Sequence, residues 1–177
     1  MINIVSIWKN STNFDDIHSL TKHYFKNDEF VSSCKTPSHF IIAYKNTEKI
    51  CFGLQNPNYI KMIQHKFDSK REVYLECNVS FSNRHASGKE VNIKRLMPKE
   101  ALDYFCLRTG INPVNEKFNC CEFLGVIRQK KFGILNAFKI SGYFKIDNLD
   151  LFNQALDYGI GSYKSYGFGL ILIKEIL

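Results

Sequence analysis

The interpretation of the chain starts from residues 158–169, which read Tyr158-Gly159-Ile160-Gly161-Ser162-Tyr163-Lys164-Ser165-Tyr166-Gly167-Phe168-Gly169. Four of the ten glycines of the protein fall in this stretch. A helical pattern precedes it, with Leu149, Phe152 and Leu156 on one face, and a strand pattern over 170–173 follows it. The stretch is therefore predicted to be a glycine-rich loop between a helix and a last strand.

The glycine-rich loop is suited to an anion. Glycine adopts backbone conformations closed to other residues, and successive free N–H groups in such a loop form an anion-binding concavity. Lys164 adds a full positive charge, so a phosphate backbone is the natural ligand. The same glycines also suit a helix C-cap at Gly159 followed by a strand that needs small residues, and this alternative stays open.

The composition bounds the class of protein. The 177 residues are 45% hydrophobic and 14% aromatic, which is enough for a packed core. The net charge of +7 favours a polyanionic partner, although an ordinary basic protein has the same balance. The six cysteines form no C-x-x-C pair and most lie in apolar patterns, so we expect reduced, buried thiols in a cytoplasmic protein. No apolar run approaches the length that spans a membrane.

The first half of the chain contains a strand, a helix and further strands. Residues Ile2–Trp8 alternate as a strand does, and 11–13 are predicted to cap a helix that has Asp15 and Asp16 in its first turn. That helix is expected to bury Ile17, Leu20, Thr21 and Tyr24. Two strands, His39–Tyr44 and Lys49–Leu54, follow as a hairpin, and 56–67 fit either a short helix or an edge strand.

The second half repeats this order. Its predicted elements are a strand with alternating burial over 73–81, a helix from Pro98 to Gly110, strands Phe118–Arg128 and Phe132–Ile146, helix Asn148–Tyr158 and the last strand. The order predicts an α+β protein with two tandem ferredoxin-like (RRM-like) β-α-β-β-α-β domains and antiparallel sheets. We place a compressed first domain at 1–70 and the second at 71–177. Such sheets commonly bind single-stranded RNA.

Basic side chains gather at three places of the second half. They are predicted to follow one phosphate track, unless they only keep the protein in solution. The candidate RNA-binding residues are Arg84, Lys89, Lys94 and Arg95 in a polar segment, Arg128, Lys130 and Lys131 at a hairpin tip, and Gly159, Gly161, Lys164, Gly167 and Gly169 in the glycine-rich loop.

His18 is the best placed of the five histidines, because it is polar, near a helix start and close to the first strand. A lone histidine is most often surface or core filler, so its role needs further support. No histidine pairs with cysteine or carboxylate at metal-ligand spacing, and we expect neither a structural metal nor a cofactor.

Together these features resemble the CRISPR repeat-processing endoribonuclease of the Cascade complex, the CasE family. The resemblance rests on the stretch Gly159 to Gly169, on Asn92-Ile93-Lys94-Arg95 with Lys99-Glu100-Ala101 opening a helix, and on Asp16-Ile17-His18-Ser19-Leu20. The chain departs from the family at Asp15, where some members have a tyrosine, and in its shortened first half.

The resemblance implies metal-independent cleavage of precursor CRISPR RNA at the repeat hairpin, with His18 as the catalytic residue. The 2′-OH would attack the adjacent phosphorus and leave a 2′,3′-cyclic phosphate or 3′-phosphate and a 5′-OH. It also implies that the enzyme keeps the mature guide RNA as a subunit of a Cascade-like complex. His18 can act as base or acid, and either Lys94 or Lys164 can stabilise the pentacoordinate phosphate.

Two other functions remain open on the sequence. One is a non-catalytic RNA-binding subunit of the same kind of complex, which uses this fold to hold an RNA end. The other is a ferredoxin-like protein unrelated to RNA, whose basic surface meets a protein partner.

Overall fold

The protein consists of two consecutive α+β units. The structure, a computed structural model, describes residues 3–8, 16–24, 30–35, 39–44, 59–61, 67–81, 84–87, 90–93, 96–129 and 133–177. The described elements of the first unit are β1 (Asn3–Trp8), α1 (Ile17–Tyr24), β2 (Phe30–Lys35), β3 (His39–Tyr44) and β4 (Tyr59–Lys61).

The first sheet has the strand order β2-β3-β1-β4, and all its pairings are antiparallel. Its first strand therefore lies between the third and the last, which is the arrangement of a split βαβ unit. The strand predicted over 39–44 is confirmed. The hairpin partner expected at Lys49–Leu54 lies outside the described residues, and the observed partner of β3 is β2, which the sequence analysis did not predict.

The second unit contains the larger sheet. Its elements are β5 (Glu72–Phe81), β6 (Arg84–Ser87), β7 (Glu90–Ile93), α2 (Pro98–Thr109), β8 (Ile111–Pro113), β9 (Asn119–Gln129), β10 (Gly133–Ile146), α3 (Leu149–Tyr158) and β11 (Ile171–Ile176). The sheet order is β11-β5-β10-β8, with β9 also paired to β10. The first strand of the unit, β5, thus lies between β10 and the last strand, β11. Both units are ferredoxin-like, as the element order predicts.

The core of the second unit lies between its sheet and its helices. Along β5, buried residues alternate with half-buried ones from Glu72 to Asn78, as a strand with one covered face requires. Val73, Leu75 and Val79 are completely buried and pack in one cluster with Phe105 of α2 and Phe152 of α3. This two-layer packing fixes the position of α3 and hence the start of the glycine-rich loop.

Local signals in the sequence set the ends of α2. Pro98 is its first residue, where a missing N–H costs nothing. At the other end, the N–H of Gly110 donates to the Cys106 carbonyl at 2.8 Å in the left-handed conformation, with φ of 67°. Asn148 caps α3 in turn, because its side chain accepts from the Leu151 N–H at 3.1 Å. These boundaries agree with the sequence prediction.

Two predicted features differ from the structure. The polar segment over 82–95 contains a short two-stranded ribbon, β6 with β7, which its high polarity concealed. In the first unit, Asp16 stands before the first turn of α1 rather than inside it, because its carboxylate accepts from the Ser19 N–H at 2.8 Å. The predicted cap over 11–13 and Asp15 lie outside the described residues.

The junction near the predicted domain boundary packs with the second unit. Phe67 lies in the core cluster with Phe152, and the two rings meet edge to face at 5.3 Å. The side-chain amide of Asn153 pairs with both the N–H and the carbonyl of Phe67, at 2.8 and 2.9 Å. Phe67 is thus anchored to α3.

Four cysteines of the described residues carry free thiols. Burial raises the pKa of Cys106 to about 12 and that of Cys121 to about 11, so both stay protonated. Among the helices of the described ranges, none combines the length and the apolar character needed to cross a membrane.

Candidate active site at the junction of the two units

His18 lies in the first turn of α1, which Asp16 fixes. The two carboxylate oxygens of Asp16 accept from the backbone N–H and the side-chain hydroxyl of Ser19, each at 2.8 Å. With the turn held in this way, Ile17 and Leu20 point into the core and His18 lies on the flank, half-buried. The sequence prediction of a flanking histidine is confirmed.

The His18 ring contacts two residues of the glycine-rich loop of the other unit. Its Nδ1 lies 3.0 Å from the Ser165 hydroxyl, at hydrogen-bond distance. Its plane stacks on the Tyr166 ring, with centroids 4.0 Å apart and only 13° between the planes. One ring nitrogen is thus engaged and one ring face is covered, so the orientation of the imidazole is set by two residues at least 147 positions away in the chain.

This hydrogen bond leaves Nε2 as the ring nitrogen for chemistry. The serine hydroxyl both donates and accepts, so it pairs with either tautomer of neutral His18. When Nδ1 carries the proton, Nε2 has a lone pair and can act as a base. When the ring carries a second proton, Nδ1–H donates to the hydroxyl and the Nε2–H of the cationic ring can act as an acid.

The surroundings of His18 favour its neutral form. Partial burial lowers the pKa of His18 from its ordinary value. The positive charge of Lys22, one helical turn along the chain, also lowers this pKa. Asp16 opposes this effect but does not cancel it. Neutral imidazole is therefore the main species near pH 7, because the unperturbed pKa is about 6.5.

The glycine-rich loop is held close to β5, and this explains its glycines. At Gly161 a Cβ atom would lie 2.6 Å from the Ser80 carbonyl oxygen, and at Gly169 it would lie within contact distance of Ile160. Both residues have positive φ, 76° and 87°. The N–H groups of Ile160, Ser162 and Gly169 already donate to backbone carbonyls. These positions follow the structural alternative, in which the glycines serve close packing.

Residues of the first unit complete the support of this loop. The hydroxyl of Ser33 in β2 donates to the Lys164 carbonyl at 2.6 Å, and Ser33 forms a parallel bridge with Gly169. Val31 of the same strand packs with Leu170 in a small cluster. Strand β2 therefore fixes the short 3-10 turn over 164–166, whose residues meet His18.

Lys164 directs its ammonium group away from this contact. Its Nζ donates to the Tyr158 carbonyl at the end of α3, at 2.5 Å. Burial lowers the pKa of Lys164 from its ordinary value, and the charge of Arg108 in α2 lowers it further. The structure therefore brings the backbone of Lys164 near His18, while its charge lies beside α2 and α3.

The other candidate RNA-binding residues are only partly described. Arg84 lies in β6 and Arg128 in β9, and the structure gives their backbone positions. The remaining basic candidates lie outside the described residues: Lys89, Lys94, Arg95, Lys130 and Lys131. Their grouping on one phosphate track stays a prediction.

Sequence reasoning missed Ser165, Tyr166 and Arg108. Nothing local distinguishes Ser165 or Tyr166, since their roles come from a contact with a helix near the start of the chain. Arg108 is an exposed residue of α2 with no motif around it. In the part of the chain that the structure describes, no three His, Cys, Asp or Glu side chains are grouped to hold a metal ion.

The fold class is that of two ferredoxin-like units in tandem. A histidine of the first unit faces the C-terminal glycine-rich loop of the second. Comparison with family models gives a match over residues 124–175 to a family described as "CRISPR associated protein". Comparison with curated protein sequences gives no significant match.

Solved structures share the fold along nearly the whole chain. Thermus thermophilus Cse3 bound to an RNA representing a pre-cleavage complex has a TM-score of 0.74 and 11% identity over 98% of this chain and 99% of that one. Escherichia coli Cas6e has a TM-score of 0.58 and 16% identity over 97% of both chains. A chain of a CRISPR RNA-guided surveillance complex has a TM-score of 0.62, 15% identity, and coverage of 97% and 98%. These comparisons support the resemblance to the CasE family: the solved structures share the fold, and residues 124–175 match a CRISPR-associated family.

Proposed function

We propose that this protein is a metal-independent endoribonuclease that cleaves precursor CRISPR RNA at the repeat hairpin and keeps the mature guide RNA. The observation that carries the proposal is the contact of His18 with Ser165 and Tyr166, because it orients a neutral imidazole between the two units. The fold shared with RNA-bound Cse3 supports RNA as the substrate class.

The chemistry needs one oriented proton carrier and an aligned substrate. The 2′-OH of a nucleotide attacks the adjacent phosphorus while the 5′-oxygen of the next nucleotide leaves. Nε2 of His18 removes the hydroxyl proton or supplies a proton to the leaving oxygen, and it contributes roughly 10²–10⁴-fold to the rate. The nucleophile belongs to the RNA itself, so the step requires no metal-activated water. The products are a 2′,3′-cyclic phosphate, or the derived 3′-phosphate, and a 5′-OH.

The RNA is held, on this proposal, by basic residues of the second unit. Lys94 and Arg95, the Arg128 hairpin with Lys130 and Lys131, Arg84, Lys89 and the glycine-rich loop with Lys164 form the candidate track. We propose the chain boundary between the units near Asp68–Arg71, between β4 and β5. The surveillance complex that contains the same fold supports Cascade-like subunits as further partners.

The decisive experiment is cleavage of a labelled repeat hairpin in EDTA by wild type and by His18→Ala. We expect wild type to give a shorter product, and His18→Ala to bind the RNA with unchanged affinity while its cleavage rate falls by roughly 10²-fold or more. His23→Ala is the matched control, because this exposed histidine lies on the same helix. A near wild-type rate in His18→Ala removes His18 from the mechanism.

A second candidate function is a non-catalytic subunit that only holds an RNA end. The observation that favours it is the position of the Lys164 ammonium group, which lies at the Tyr158 carbonyl instead of beside His18. A site without that charge has less stabilisation for the developing negative phosphate. Tight binding of the hairpin by wild type, with no product in EDTA, would establish this function.

A further inference from the structure

A cavity opens on the side of the glycine-rich loop where the Lys164 ammonium group lies. Its volume is about 360 Å³, and α2, α3 and the loop over 159–161 form its walls. This volume is near the lower limit for sites that bind small ligands, roughly 300–1,000 Å³. A single nucleotide unit is the size of occupant that such a cavity suits.

The charge at this cavity has one sign. Arg108, from the last turn of α2, and Lys164 both line it, and none of the described residues on its walls is acidic. The Arg108 guanidinium lies over the Tyr104 ring, 5.8 Å from its centroid, and guanidinium N–H groups are suited to donate to the oxygens of an anion. Burial, and after it the charge of Arg108, lowers the pKa of Lys164, and an anion bound between the two cations relieves their repulsion.

The walls of the cavity also offer an aromatic and an apolar surface. Tyr158, at the end of α3, is 55% exposed and lines the cavity together with Leu107, which is 72% exposed. Aromatic side chains beside a positive groove are the usual platform for unstacked bases, and stacking contributes about 1–3 kcal/mol per base. A base inside a duplex cannot use such a platform because its faces are already stacked.

The cavity and His18 lie on different sides of the same turn. The walls of the cavity include Lys164 but not Ser165 or Tyr166, which contact the His18 ring. The turn over 164–166 therefore lies between the His18 contact and the cavity.

We propose that this cavity binds one single-stranded nucleotide of the RNA, with its phosphate on Arg108 and Lys164 and its base against Tyr158. The proposal rests on the proposed function, since it assumes that the ligand is the repeat RNA. It adds a subsite that recognises the single-stranded flank next to the hairpin, whereas His18 acts on the cleaved bond.

The experiment measures binding alone. Two repeat hairpins, one blunt and one with single-stranded flanks on both sides, carry a 2′-deoxy nucleotide at the cleavage position so that neither is cut. Arg108→Gln is expected to weaken binding of the flanked RNA about tenfold, and to lower its log–log salt slope by about 0.7, with the blunt hairpin unchanged. Arg108→Lys should keep most of the affinity because it keeps the charge.

Arg71→Gln is the matched control, because Arg71 is exposed and does not line the cavity. Its Nε donates to the Ser69 hydroxyl at 3.1 Å. Equal losses with Arg71→Gln, equal losses for blunt and flanked RNA, or no loss with Arg108→Gln each overturn the subsite while RNA binding by wild type still supports the proposed function. Absence of any RNA binding by wild type refutes the proposed function itself. Thermal unfolding of each variant confirms that the fold is intact.

Discussion

Replacing Ser165 by alanine tests whether the loop hydroxyl orients the catalytic imidazole. The variant removes the partner of His18 Nδ1 at 3.0 Å and leaves the Tyr166 stack at 4.0 Å in place. A net hydrogen bond of this kind contributes about 1 kcal/mol, and 1.36 kcal/mol corresponds to a tenfold change in rate. The cleavage rate of Ser165→Ala is therefore expected to be about fivefold lower, because the ring then samples orientations that do not serve the reaction.

The assay is single-turnover cleavage of the labelled hairpin from about pH 5 to about pH 9, with RNA affinity measured beside it. A positioning role lowers the plateau rate and leaves the affinity unchanged, and Ser165→Thr, which keeps a hydroxyl, restores most of the rate. Ser69→Ala is the control for removing a surface hydroxyl. A wild-type rate for Ser165→Ala across the whole pH range would refute the reasoning.

The other predictions concern charge and packing at the same site. Lys22→Ala removes a cation that lowers the pKa of His18, so the His18-dependent limb of the pH–rate profile should move to higher pH, whether the ring acts as base or acid; a limb that stays or moves lower contradicts this assignment. Gly161→Ala places a Cβ 2.6 Å from the Ser80 carbonyl at positive φ and should cost about 2–4 kcal/mol of unfolding free energy. Gly125→Ala, where nothing lies within 4 Å, isolates the cost of φ alone, and equal losses of thermal stability would exclude the clash.

The sequence predicted the elements whose signals are local. Alternation along β5, Pro98 at the start of α2 and Gly110 at its end each act within a few residues, so their outcomes agree with the structure. Strand β2 escaped prediction because its sequence FVSSCK has polar residues at buried positions, with Ser32 and Ser33 completely buried where the strand meets the glycine-rich loop. The buried serines of β2 are explained by its contact with the second unit, which the sequence of the strand does not indicate.

In the candidate site, too, the residues with local sequence signals were predicted and the contacts between distant residues were not. His18 was predicted because it is polar, near a helix start and close to the first strand, and the loop was predicted from its glycines. The contact between them depends on the docking of two sheets, so no spacing in the sequence indicates Ser165 or Tyr166 as partners. The direction of the Lys164 side chain likewise depends on the end of α3 and on Arg108, and residue type alone does not give it.

The bridge between Ser33 and Gly169 has a consequence for how the protein is made. The imidazole leaves the ribosome before the serine and tyrosine that orient it, which follow 147 residues later or more. A nascent chain thus contains His18 before it contains the residues that orient the ring. The ring is oriented only after the glycine-rich loop has folded against β2. If the protein is the proposed endoribonuclease, its order of synthesis keeps an unfinished chain from cutting other transcripts.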